Sequence, residues 1–108
     1  MTLRSLASED EFDELLGGSR PVLALFTAIH SEAAKRMVPV VDDLAGSLGD
    51  AITAVQVDVD EASWEDERLE VANVPTLLLL RGDKVIMRTA GERTEDELAQ
   101  RIAAALAE

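Results

Sequence analysis

The run Pro21-Val22-Leu23-Ala24-Leu25-Phe26 contains no polar position. A strand with one wet face alternates apolar and polar residues, whereas an unbroken apolar run has to be covered on both sides. The chain must therefore supply helices for two faces of a sheet, and its remaining segments read as those helices and the neighbouring strands. Ser8-Glu9-Asp10-Glu11 is a capping box that opens a helix with Phe12, Leu15 and Leu16 on one face, ended by Gly17-Gly18. A long helical stretch is predicted from about Ser31 to Leu48, bent at Pro39. Ile52 to Val59 carries Val55, Val57 and Val59 in alternation and reads as a strand. Ser63-Trp64-Glu65-Asp66 caps a short helix reaching Glu70.

Thr76 to Leu80 is a further strand, Gly82-Asp83 a tight turn, and Val85 to Thr89 the returning hairpin partner. Thr94-Glu95-Asp96-Glu97 is a second capping box, starting a helix with Leu98, Ile102, Ala105 and Leu106 on one side. With a short first strand near Leu3 to Leu6, the order is β-α-β-α-β-α-β-β-α. Early β-α-β units give parallel strands with right-handed crossovers, and the closing hairpin adds antiparallel ones. The expected fold class is α/β, a mixed five-stranded sheet with helices on both faces. No repeat or linker interrupts the 108 residues, so residues 1–108 are read as one domain.

The charge excludes some functions. Twenty-two acids against 10 bases leave a formal charge of −12, which opposes binding to a phosphate backbone, where Lys and Arg supply the affinity. No nucleic-acid partner is expected. The apolar runs are far shorter than the roughly 20 residues of a membrane span, so no membrane partner is expected either. The N-terminal residues lack the apolar core of a secretory signal, and with no cysteine for disulfides the expected location is cytoplasmic. Only two of the 10 bases are Lys; that pattern fits a GC-rich genome or a salt-adapted proteome equally. Asp58-Val59-Asp60-Glu61 lacks the later ligands and the glycine of a calcium loop. No metal and no cofactor are expected, and the acids read as solvated faces.

Over essentially its whole length the chain resembles the thioredoxin family. The family's central signature, Phe-x-Ala-x-Trp-Cys-Gly-Pro-Cys-Lys with a helix proline four positions later, aligns with Phe26-Thr27-Ala28-Ile29-His30-Ser31-Glu32-Ala33-Ala34-Lys35 and then Pro39. Val57-Asp58-Val59-Asp60 is similar to the family's third strand, and Leu69-Glu70-Val71-Ala72-Asn73-Val74-Pro75-Thr76 to the approach to its cis-proline. Gly91 matches the glycine that shapes the groove near the active site. The resemblance implies a thioredoxin fold and a peptide-binding groove bordered by His30, Ser31, Val74, Pro75 and Gly91.

The departures fall on the chemistry. Ser31 and Ala34 take the two cysteine positions, and Glu32-Ala33 replace the Gly-Pro between them. Leu25 stands where the family usually buries an Asp, and Gln56 where it often has a Lys. With no cysteine in 108 residues the chain cannot exchange thiols and disulfides through its own side chains. A buried charge with no thiol to serve is only a desolvation cost, so Leu25 packs better there. No catalytic residue is therefore assigned.

Each remaining candidate has a plain reading and a sharper one. Ser31 at a helix N-terminus reads as an N-cap; the sharper alternative is a hydroxyl that hydrogen-bonds a partner's thiolate, as a serine does in glutathione transferases. His30, the single histidine, reads as a surface residue rather than half of a Ser-His pair, because neighbouring loop residues rarely present that geometry. Arg81-Gly82-Asp83 reads as turn chemistry. Trp64 reads as an anchor on the core, or else as an aromatic facing a partner. The expected function is a non-redox thioredoxin-like module that binds a peptide or protein, as cysteine-free hydrogenase-maturation chaperones of this fold do. The expected state is a monomer or weak dimer. The alternative is an enzyme that borrows a thiol such as glutathione.

Overall fold

Val22–Thr27 (β2) lies at the centre of the sheet, as its apolar run requires. In the computed structural model, which describes residues 3–6, 8–60, 64 and 68–108, the strand order is β1-β3-β2-β4-β5. The other strands are β1 (Arg4–Ser5), β3 (Thr53–Asp58), β4 (Thr76–Arg81) and β5 (Lys84–Ala90). β3 runs parallel to both β1 and β2, whereas β4 is antiparallel to β2 and to β5. The mixed five-stranded sheet read from the sequence is the one observed, with strand ends moved by one or two residues.

Alternate β2 side chains enter two separate cores. Leu23 and Leu25 join Leu77, Leu79 and Met87 beneath α2 (Glu32–Leu48) and α3 (Glu95–Leu106), with Met37, Val41, Leu44, Leu98 and Ile102 from the helices. Val22, Ala24 and Phe26 pack on the other face with Leu78, Leu80 and Val55, under Phe12 and Leu16 of α1 (Glu9–Leu16). Among the described residues, α2 and α3 on one face and α1 on the other complete the three layers.

The caps form as the sequence prescribes. Ser8 accepts the Glu11 N–H at 3.3 Å, and Thr94 accepts the Glu97 N–H at 3.2 Å. Substituting such a cap by Ala costs about 1 kcal/mol. α2 runs unbroken through Pro39. Gly82 takes φ 59° in the two-residue turn between β4 and β5, so Arg81-Gly82-Asp83 is turn chemistry. A register shift between Leu79 and Leu80 interrupts the hairpin.

The capping box read at residues 63–66 lies mostly outside the described residues. Among those described, the Arg68 N–H donates to the Trp64 carbonyl at 3.1 Å, and Glu70 turns the chain with φ 58°. Trp64 is half-buried against the α1-side core, its ring centroid 5.0 Å from Phe12 and 6.4 Å from Phe26. It is an anchor on the core.

With a charge of −12, long-range repulsion opposes the compact state. Salt at 1 M shortens screening to about 3 Å. Tm is therefore expected to rise between low salt and 1 M potassium chloride, by about 4–8 °C for each kcal/mol of repulsion removed. A scanning-calorimetry series that stays flat or falls would mean that the acids are already compensated locally.

Candidate functional site

The α2 N-terminus, the loop before β4 and the loop after β5 meet at one end of the sheet, because β2 lies between β3 and β4. Phe26 pairs with Thr76, and Thr27 with Asp58. The chain leaves β2 through Ala28-Ile29-His30 and enters α2 at Ser31. Ser31 has extended backbone (φ −98°, ψ 107°) and its hydroxyl accepts the Ala34 N–H at 3.1 Å. Its own N–H donates to the Ala28 carbonyl at 3.1 Å. Ser31 is thus an N-cap. His30 is exposed and shares no hydrogen bond with Ser31 among the described residues. Ala34 is fully buried beneath the first turn, Ala33 is half-buried and Glu32 is exposed.

The Val74–Pro75 peptide bond is cis. The Thr76 hydroxyl donates to the Asn73 carbonyl at 2.6 Å, and the Gly91 N–H donates to the Pro75 carbonyl at 2.9 Å. Gly91 has φ 82°, and a Cβ built there meets nothing within 4 Å, so backbone conformation and not space demands glycine. Val74 is half-buried. Among the described residues, no hydrogen bond engages its backbone N–H or carbonyl.

Long-range side chains fasten α2 to the loop that follows β5. Arg36 donates to both carboxylate oxygens of Glu92 at 2.9 Å, and the Arg93 N–H reaches the Met37 sulfur at 3.5 Å. Sequence reasoning put Gly91 beside Ser31 only through the family resemblance; these contacts supply the physical reason. Lys35 pairs with Glu32 at 3.0 Å. The hydrogen bond from Lys35 holds the Glu32 carboxyl below the usual range, and that from Arg36 does the same for Glu92. Both basic residues close to the α2 N-terminus are therefore already matched by acids.

A carboxyl held low stabilises the fold above its unfolded pKa, and this contribution fades as pH falls through the folded value. The Arg36–Glu92 clamp should accordingly loosen only below the ordinary Glu range. In a carbon-detected NMR titration, Glu92 is expected to titrate at lower pH than an unpaired Glu. Arg36→Ala should return it towards the ordinary value. An unchanged Glu92 titration in that variant would mean that the clamp does not form in solution.

Ile29 escaped sequence reasoning. It is 62% exposed and is the single exposed large hydrophobic among the described residues. Its N–H donates to the Asp60 carboxylate at 3.2 Å, and the Asp60 N–H donates to Asp58 Oδ1 at 2.8 Å. The available signal was a large apolar side chain in the short stretch between β2 and α2. Leu25 is fully buried, in register with Gln56 and Leu77. Gln56 turns its amide to the Ser5 hydroxyl at 2.9 Å. Neither residue forms a buried charged pair.

Among the described residues, no helix is long and apolar enough to cross a membrane. The family profile named Thioredoxin matches residues 4–104. Thioredoxin of Mycolicibacterium smegmatis is 30% identical over 102 residues, covering 92% of this chain and 91% of that one. Thioredoxin of Alicyclobacillus acidocaldarius subsp. acidocaldarius is 25% identical over 96 residues, covering 89% and 91%. The chloroplastic Thioredoxin Y of Oryza sativa subsp. japonica is 32% identical over 109 residues, with 97% of this chain and 65% of the rice protein covered. The match spans all five strands, α1 and α2 and reaches into α3. The chain belongs to the thioredoxin family.

Proposed function

We propose that this protein is a redox-inactive member of its family that works in the cytoplasm and holds an extended peptide or protein segment across the α2 N-terminus and the Val74–Pro75 loop. The observation that carries the reading is Val74. Its backbone donor and acceptor take no hydrogen bond among the described residues, and they stand beside the β4 end, where an added strand finds partners. Ile29, exposed at the same end of the sheet, offers an apolar contact for a side chain of that strand. Ser31 caps α2, so the helix keeps its shape without the lost cysteines.

The borrowed-thiol alternative has less support. Glutathione carries carboxylates, and Lys35 and Arg36 are matched by Glu32 and Glu92. The Ser31 hydroxyl already accepts a backbone N–H. Insulin reduction in the presence of dithiothreitol is expected to stay at the buffer rate, since no thiol is present to turn over. Sustained turnover by rigorously purified protein would end the non-redox reading.

Binding is tested by NMR titration with nonapeptides of alternating Val and Thr. The Val74 and Gly91 amides are expected to shift together. Ile29→Asp, an exposed change that spares the core, should weaken affinity about tenfold, equivalent to about 1.4 kcal/mol. Peptide binding that leaves the Val74 amide unmoved would refute the groove assignment.

A further inference from the structure

A polar recess of about 260 Å³ opens at the same end of the sheet, lined by Ser5, Leu6, Thr27, Gln56 and Asp58. Its charge points towards one kind of occupant. The Thr27 hydroxyl donates to the Val57 carbonyl at 3.4 Å, leaving its lone pairs free to accept. Gln56 spends one amide N–H on the Ser5 hydroxyl at 2.9 Å, leaving its carbonyl oxygen as an acceptor beside its second N–H and the Ser5 O–H. Asp58 accepts the Asp60 N–H through one carboxylate oxygen, and no cation pairs with it among the described residues. Thr27, Gln56 and Asp58 are each half-buried. The recess thus gathers acceptors, one of them charged, without a cation to match.

We infer that this recess receives the ammonium or guanidinium head of a Lys or Arg carried by the bound peptide, which gives the site a basic–apolar partner. The inference rests on the peptide-binding reading proposed above. The ladder supplies the distance: Asp58 pairs with Thr27, and the β2–β4 register carried one step past Phe26–Thr76 sets Thr27 beside Pro75. At roughly 4.8 Å per strand, Asp58 lies two strands, or about 10 Å, from the cis-proline loop. An extended peptide advances about 3.3 Å per residue. A peptide crossing the strand ends therefore carries its cation about three residues from the residue paired with Val74, and Ile29 contacts an apolar side chain between them. Lys35 and Arg36 do not oppose such a cation, because Glu32 and Glu92 already match them.

Two measurements separate this inference from the reading it rests on. Fluorescein-labelled Val/Thr nonapeptides carrying one Lys, walked along the sequence, are compared with peptides carrying norleucine at the same place. The best Lys register should bind about tenfold more tightly than its norleucine counterpart. The preference should shrink in 0.5 M salt and vanish in Asp58→Asn, with norleucine binding unchanged. Equal binding of Lys and norleucine peptides that still shift the Val74 amide would leave the groove standing and overturn the recess. The second probe is methylguanidinium alone, read on the Gln56 side-chain amide resonances against a sodium chloride control. A saturable shift in the wild type, absent in Asp58→Asn, is expected even if no peptide occupies the groove. No shift beyond the sodium control would overturn the inference independently of any peptide.

Discussion

Phe12→Ala is expected to remove about 3–5 kcal/mol of stability, a large share of the roughly 5–15 kcal/mol that holds a typical domain folded. Phe12 of the short helix α1 is fully buried. Its ring lies 5.0 Å from that of Trp64, and the Arg68 guanidinium stands 5.4 Å from its centroid. Arg68 is itself held by Glu9, at 2.8 Å, and by Asp13 of α1. The ring therefore ties α1 to the segment that continues through Leu69 and Val71 to Val74, all packed in or against the same core. Removing it should loosen the approach to Val74–Pro75 as well as the helix. Urea unfolding measures the first effect, and amide exchange at Val71 to Thr76 the second. Phe12→Leu, which keeps most of the volume, should cost less than about 1.5 kcal/mol. If Phe12→Ala cost no more than Phe12→Leu, Trp64 and Arg68 would be packing without it.

The parts of this structure that were legible in advance are those governed by local rules. An unbroken apolar run has one solution in a sheet, and β2 adopts it, sending Leu23 and Leu25 to one core and Val22, Ala24 and Phe26 to the other. Caps are equally local: a hydroxyl at Ser8, Ser31 or Thr94 needs only the N–H three residues on. Trp64 could be weighed as an anchor on the core against an aromatic facing a partner, though its partners were not nameable.

The clamp of Arg36 on Glu92 was not legible, since the two residues are 56 positions apart and neither carries a pattern that singles out the other. The same holds for Arg88, whose guanidinium donates to the Leu69 carbonyl at 2.7 Å. The contacts of Asp58 and Asp60 were not legible for a related reason. In sequence they belong to an acidic stretch, whereas in space Asp60 holds the Ile29 loop and Asp58 lines a recess. A candidate site assembled from loop ends and strand ends is written in contacts across the sheet. The family pattern could place its border, and its charge balance needed the ion pairs.

Replacing Ser31 and Ala34 together by Cys should create a working but slow redox site. The geometry is favourable, because the Ser31 side chain already reaches the Ala34 backbone N–H at 3.1 Å across the first turn of α2. A thiolate at position 31 would accept the same N–H at a helix N-terminus, which lowers a cysteine pKa and raises its reactivity. The thiol at position 34 would start fully buried, where burial disfavours its thiolate. Releasing it during reduction requires a proton acceptor, and Leu25, fully buried in register with Gln56 and Leu77, cannot be one. General acid–base assistance contributes about 10²–10⁴-fold to such steps, so insulin reduction by the double variant should fall about 10²-fold or more below an ordinary thioredoxin. Leu25→Asp added to it should recover part of that deficit. The same change should cost about 3–5 kcal/mol, from lost apolar packing and a carboxyl with no partner. Rates and urea curves for the double and triple variants test both halves at once. A double variant as fast as an ordinary thioredoxin would make Leu25 incidental. A triple variant that stayed folded yet gained nothing would show that position 25 cannot relay the proton, leaving the Glu32-Ala33 turn, with its added negative charge, as the element that limits the rate.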